Sequence, residues 1–135
     1  MGMNDPRIGY NSATEFVASG LPWVTSGTAV AAAESYKFEK ITKHVIIANH
    51  EVAGKYLRVG FTLNGINGVE ENYYFRIDGG NTFEFDARVK EIYLKRDGGN
   101  DISFSMYVEL VGIDATMMPV LTGSIGGTAF WDGVG

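Results

Sequence analysis

The side chains able to do chemistry are few and widely spaced. His44 and His50 are the only histidines, six positions apart. That is not the spacing of a helical metal pair, and a site would need further ligands brought in by the fold. They read as one strand histidine and one loop histidine. Ser12, Ser19, Ser26 and Ser35 fall in Gly- and Thr-rich stretches read as loops, with no nucleophile elbow around any of them. Asp97, Asn100 and Asp101, or Asp78 and Asn81, offer oxygens to a hard cation. A calcium site wants six to eight oxygens, so these residues read as turn chemistry instead. Glu70 with Glu71, or Glu84 with Asp86, is the pair a glycosidase would use. Glu84 and Asp86, however, alternate with Phe83 and Phe85 and read as a solvated sheet face. No catalytic residue, metal site or cofactor is therefore expected. A sugar would find aromatic side chains: Trp23, Tyr73 and, better placed opposite the apolar face, Tyr74, Tyr93 and Tyr107 are candidate glycan contacts.

Such residues need a scaffold, and composition bounds it. A chain of 135 residues with 45% hydrophobic and 20% charged residues is one globular domain with a real core. Its net charge of −5 is the wrong sign for a phosphate backbone, so no nucleic-acid partner is expected. The lack of cysteine excludes disulfides, thiolate metal sites and cysteine nucleophiles. The first eleven residues lack the apolar core of a signal peptide, and no run reaches the roughly 20 apolar residues that span a bilayer. Synthesis and folding in the cytosol, with no membrane partner, are the expectation.

The middle of the chain is evenly punctuated. Leu57, Val59, Phe61 and Leu63 alternate with polar or small residues. So do Tyr73, Phe75 and Ile77, then Phe83, Phe85 and Ala87, and then Ile102, Phe104, Met106, Val108 and Leu110. Alternation marks strands with one buried face. Asn64-Gly65-Ile66-Asn67-Gly68, Asp78-Gly79-Gly80-Asn81 and Asp97-Gly98-Gly99-Asn100 read as hairpin turns between them. Earlier, residues 15–25 predict a first strand, irregular or at an edge because of Gly20 and Pro22. Residues 28–33 read as a loop or a single helical turn. The uneven spacing of Phe38 and Ile41 predicts a bulge, and Val45, Ile46 and Ile47 a strand covered on both faces. Val89, Ile92 and Leu94 complete the set, with Lys90 and Glu91 at a bulge. Seven to eight antiparallel strands with short connections predict an all-β sandwich of jelly-roll type, because one open sheet would leave its apolar face bare.

Three regions follow: a polar N-terminal arm over 1–14, the β-sandwich over 15–111, and a Gly-rich apolar C-terminal arm over 112–135. The last segment holds Met117, Met118, Leu121, Phe130 and Trp131 with little charge, and must pack on its own domain or on a neighbour.

Tyr10-Asn11-Ser12-Ala13-Thr14-Glu15-Phe16-Val17-Ala18-Ser19-Gly20-Leu21-Pro22 resembles the start of small virion proteins of tailed or marine bacteriophages. Leu57-Arg58-Val59-Gly60-Phe61-Thr62, Gly79-Gly80-Asn81-Thr82-Phe83 and Arg88-Val89-Lys90-Glu91-Ile92-Tyr93-Leu94 are similar to their jelly-roll body. Leu121-Thr122-Gly123-Ser124 and Gly133-Val134-Gly135 are similar to their Gly-rich tail. The resemblance implies a non-enzymatic virion structural protein: a capsid decoration, cement or vertex subunit on the capsid surface. Its implied partners are copies of itself, as a trimer or pentamer, and a major capsid protein. Leu21, Trp23, Met117, Met118, Leu121, Phe130 and Trp131 are the expected subunit or capsid contacts. The alternative is a carbohydrate- or receptor-binding module of a host-attachment apparatus.

Overall fold

The structure, a computed structural model, describes residues 20–68, 72–119 and 121. Eight strands are found among them: β1 (Leu21–Ala29), β2 (Glu34–Lys37), β3 (Lys40–Asn49), β4 (Tyr56–Gly60), β5 (Phe75–Ile77), β6 (Thr82–Phe85), β7 (Glu91–Asp97) and β8 (Ile102–Asp114). A short helix, α1 (Leu63–Asn67), follows β4, and a 3₁₀ turn (Ala115–Met117) follows β8. The strands form two four-stranded antiparallel sheets, ordered β1-β8-β3-β6 and β2-β7-β4-β5. Their inner faces share one hydrophobic cluster, the arrangement of a β-sandwich.

The alternation in the sequence is the alternation of burial. Ile102, Phe104, Met106, Val108 and Leu110 of β8 are all buried, and Leu57 and Val59 of β4 meet Ile92 and Leu94 of β7 in the same core. The uneven spacing of Phe38 and Ile41 marks the passage from β2 in one sheet to β3 in the other and not a bulge; a pair of register shifts in the β3–β8 ladder follows it, around Thr42. Beyond them Val45 and Ile47 are buried while Ile46 is half-exposed, so β3 is covered on one face there, not on both. β1 is an edge strand, the position in which Pro22 costs no ladder bond. It continues to Ala29, so the first two residues of the stretch read as loop or helical turn are strand, and residues 30–33 connect β1 to β2.

The Gly-rich turns join different partners from those expected. Each strand pairs across the chain: β1 with β8, β2 with β7, β3 with β6 and β4 with β5. Of these pairs only β4–β5 are neighbours in sequence. Asp78-Gly79-Gly80-Asn81 and Asp97-Gly98-Gly99-Asn100 are therefore crossings between the two sheets, not hairpins. Asn64-Gly65-Ile66-Asn67 lies in α1, not in a turn. There Thr62 Oγ1 accepts the Gly65 N–H, a helix N-cap, and the period changes from two to 3.6. Phe61 and Leu63 consequently leave the β4 inner face: Phe61 is half-buried and Leu63 exposed, while Ile66 is fully buried. Ile66 lies against Gly60 on the outer face of the second sheet, where an added Cβ would stand 3.0 Å from the Ile66 Cβ. Arg58 Nη1 donates to Ile66 O and Lys95 Nζ to Asn67 Oδ1, which fastens the helix there.

Two buried polar side chains of β3 hold the crossings. Thr42 Oγ1 donates to Ala87 O at 2.6 Å and accepts from Val89 N at 3.0 Å, which pins the β6–β7 connection. Asn49 Nδ2 donates to Lys55 O and to Ile77 O, both at 2.8 Å, and its Oδ1 accepts from Glu51 N. Asn49 thus ties the β3–β4 loop to the end of β5 in the other sheet. The β5–β6 turn is pressed onto the same loop, because a Cβ on Gly79 would lie 1.8 Å from Val52 O.

Two stability outcomes follow. Asn49→Ala leaves three backbone groups without their partner and is expected to lower unfolding free energy by at least about 2 kcal/mol in denaturant titrations. Gly79→Ala is expected to cost about 1–3 kcal/mol, because backbone and not a flexible side chain is in the way. Gly99→Ala, with no atom within 4 Å of the new methyl, is its near-neutral control.

Candidate functional site

The nested pairing puts β1 and β2 at the edges of one side of the sandwich, and β6 and β5 at the edges of the other. The first side is sealed by rings. Trp23 of β1 packs edge-to-face on Phe38 at 4.8 Å and on Tyr36 at 6.4 Å, and Tyr36 does the same on Phe104 at 5.8 Å. Edge-to-face contact of this kind adds about 0.5–1.5 kcal/mol per pair beyond buried area.

The second side is open. A cleft of about 490 Å³ lies there, lined by Val59, Phe61, Asn72, Tyr73, Tyr74, Phe75, Phe83, Phe85 and Ala87. Four phenyl rings form a column within it. Phe61 meets Phe85 edge-on at 6.0 Å, Phe85 stacks on Phe83 at 5.1 Å, and Phe83 stacks on Phe75 at 4.1 Å with 16° between planes. Phe75 ends the column and is 51% exposed. The sequence pattern places it inward with Ile77, and the register does the same, since it faces Val59 across β4–β5. It is exposed because β5 is three residues long and no further strand covers it among the described residues.

Around the cleft the two outer faces carry opposite charge. Behind β6, His44 Nδ1 lies 2.5 Å from Asp86 Oδ1 and its Nε2 3.1 Å from Glu84 Oε2, with Glu109 opposite it on β8. The Asp86 bond, helped by Glu84 and opposed by a little burial, raises the His44 pKa above its ordinary 6.5. Behind β5, Asp97 accepts from Arg58 Nε at 2.7 Å and from Arg76 Nη1 at 3.1 Å. Burial pushes the Asp97 carboxyl up, but the two guanidinium bonds outweigh it and hold it below 3.8. Arg58 lies 4.2 Å over the Tyr74 ring and Arg76 4.6 Å over Tyr56, so each arginine has an aromatic floor.

The residues singled out from sequence separate. Of the five glycan candidates Tyr73 and Tyr74 reach the cleft; Tyr93 and Tyr107 sit half-buried on β7 and β8. Leu21 and Met117 are exposed, at 57% and 51%. Trp23 seals the β1–β2 side instead of standing free. Met118 and Leu121 are 4% and 8% exposed and belong to the domain's own core, so their apolar area is already used within the chain. β8 also runs three residues past the expected domain end at 111, with Val111 and Ile113 buried. Phe130 and Trp131, the arm over 1–14, and Glu70 with Glu71 lie outside the described residues.

The chemistry-bearing side chains are partnered in ways their spacing did not reveal. Ser26 and Ser35 are on β1 and β2, not in loops. Ser26 Oγ lies 2.9 Å from Ser105 Oγ, which lies 2.8 Å from His50 Nε2. This short chain of hydroxyls and imidazole stands on the outer face of the first sheet. Asp78 Oδ1 accepts the Gly54 and Gly79 N–H groups, as turn chemistry predicts, and Asp101 pairs with Arg96 at 2.6 Å. Among the described residues no group of three His, Asp or Glu is gathered as a metal would need. The sequence signal that would have found the cleft is the recurrence of phenylalanine at 61, 75, 83 and 85. Its location required the strand order.

The sequence matches no protein-family model and none of the curated proteins compared with it.

His44 gives a pH readout. Its folded pKa is raised, so the His44–carboxylate link is fully formed below about pH 6.5 and is lost as pH rises through the folded value. Ring-proton NMR titration is expected to place His44 above 6.5, with Asp86→Asn moving it down. A titration unchanged by Asp86→Asn would show that the bond is absent in solution.

Proposed function

We propose that this protein is a non-enzymatic structural subunit of a virion, a capsid decoration, cement or vertex protein with a jelly-roll fold that assembles with copies of itself. The observation that carries the reading is the strand order β1-β8-β3-β6 over β2-β7-β4-β5. Pairing first with last and inward to the middle is what a long antiparallel hairpin gives when it is rolled up on itself. That nesting supports reading the sandwich as a jelly roll, an architecture of capsid and lectin domains. Fold alone does not assign function, so the surface must argue as well. Leu21 and Val24 are exposed along the edge strand β1, Met117 stands clear of the core at the end of β8, and the open side presents a phenyl column. These are apolar surfaces at strand edges, suited to burial against a neighbouring subunit.

A second reading, a carbohydrate- or receptor-binding module, is favoured by the cleft rim. There Tyr73, Tyr74 and the Asn72 amide add polar groups to a stacking surface. A glycan array separates the two. Reproducible binding that is lost in Tyr74→Ala would favour the module.

Solution mass from size-exclusion chromatography with light scattering is the direct test. A discrete trimer or pentamer is expected. Removing residues 122–135 is expected to abolish assembly while the β signal in circular dichroism remains. The cut belongs after Leu121, because Met118 and Leu121 are core residues and Ala115 N donates to Glu39 O. A monomeric full-length protein, or a truncated one that assembles normally, would overturn assembly through the C-terminal segment.

A further inference from the structure

We propose that the open side of the sandwich is a strand-addition site, at which an extended partner segment alternating aromatic and basic residues pairs with the free edge of β6. The partner's being a neighbour in an assembly rests on the reading above; the pairing chemistry does not. β6 bonds to β3 on one side, and among the described residues nothing pairs with its other edge. An unpaired edge offers a row of N–H and C=O groups that an extended chain can satisfy, with side-chain pockets setting the sequence.

Both faces of that edge specify what comes next to it. Phe83 and Phe85 point inward to the cleft, so every second residue of an added strand would enter about 490 Å³ of space beside the phenyl column. A ring fits there best, because the column ends in the open face of Phe75 and aromatic cross-strand pairs are the favourable ones. Glu84 and Asp86 lie on the other face, with side chains 65% and 84% exposed. His44 flanks them from the β3 side only, and Glu109 adds a third carboxylate nearby on β8. Three carboxylates against one imidazole leave this group of four net negative even with His44 protonated. A lysine or arginine on the alternate positions would meet those carboxylates from the unoccupied side, and an acidic residue would be repelled. The β5 edge does not make the same offer: it is three residues long and its outward side chain is Arg76, already bonded to Asp97.

The experiment is an amide NMR titration of the isotope-labelled full-length protein with three capped pentapeptides: Lys-Phe-Lys-Phe-Lys, Glu-Phe-Glu-Phe-Glu, and the lysine peptide with N-methylated backbone on its pairing edge. The lysine peptide is expected to shift the amides of residues 82–86 and to bind at least tenfold tighter than either control. Phe83→Ala is expected to weaken it tenfold. The surface change Glu84→Lys, which leaves the core alone, is expected to narrow or invert the preference between the lysine and glutamate peptides. Equal binding of the lysine and glutamate peptides, or of the N-methylated one, would overturn the proposal, as would no binding at all. Shifts at Phe75 and Phe83 from phenyl β-glucoside, with none from the peptides, would replace a strand by a small ring as the occupant. Light scattering on the same unliganded samples reports self-assembly separately, so failure of the peptide mode and failure of the subunit reading give different results.

Discussion

In this sandwich the chain changes sheets at almost every connection, and each change takes backbone out of a ladder at the margin of the core. The amides and carbonyls stranded there must find partners or impose a desolvation cost. β3 supplies those partners at both its ends. Thr42 sits at the register shift and serves the β6–β7 crossing; Asn49 closes the strand and serves the β3–β4 loop and the end of β5. The register shift and the buried threonine are one device, since the irregularity turns a hydroxyl to where the crossing carbonyl and amide arrive. The remaining buried faces can then be purely apolar.

The same topology explains the contrast between the two sides. The nested pairing leaves β1 and β2, from its open end, at the edges of one side and β5 and β6, near its bend, at the edges of the other. The end side is closed by Trp23, Tyr36 and Phe38, with centroids close enough for edge-to-face contact. The bend side has two short strands, three and four residues, with no counterpart to the nine-residue β1, and they cannot cover each other's inner faces. Rings take the place of further strands there and stack into a column that water still reaches. An apolar surface of this sort is stable as a local cluster and available to a partner, and the acidic and basic faces on either side of it give a partner an orientation.

Much of the architecture was legible in residue spacing. The alternation through Ile102, Phe104, Met106, Val108 and Leu110 gives strand and buried face together, and β8 is the central strand on which β1 and β3 pair. The broken period between Phe38 and Ile41 was visible, but it marks the passage from β2 to β3 and not a bulge. Leu63 and Phe61 misled because a two-residue period was carried into a segment that Thr62 caps as a helix. Phe75 misled differently: its inward direction was right, but exposure depends on strand length and edge position. The turns misled most, because Asp-Gly-Gly-Asn fixes a reversal of the backbone and says nothing about which strands it joins. Of the candidate site, the phenylalanines and Tyr74 were visible as residues, whereas His50 beside Ser105 and His44 beside Asp86 are 55 and 42 positions apart in the chain.

By itself the sequence determined that the protein is antiparallel β, with a cysteine-free apolar core and which side chains of most strands face it. The physical reason is that a strand's two faces are set locally, by a period of two and by turn residues that limit φ and ψ. Only the tertiary structure decided the pairing of first strand with last, the crossings that Thr42 and Asn49 satisfy, the open side with its ring column, and the burial of Met118 and Leu121 against the exposure of Phe75. Those depend on which distant segments share an edge or a face, and burial is a property of the assembled layers, not of any residue's own neighbours in the chain.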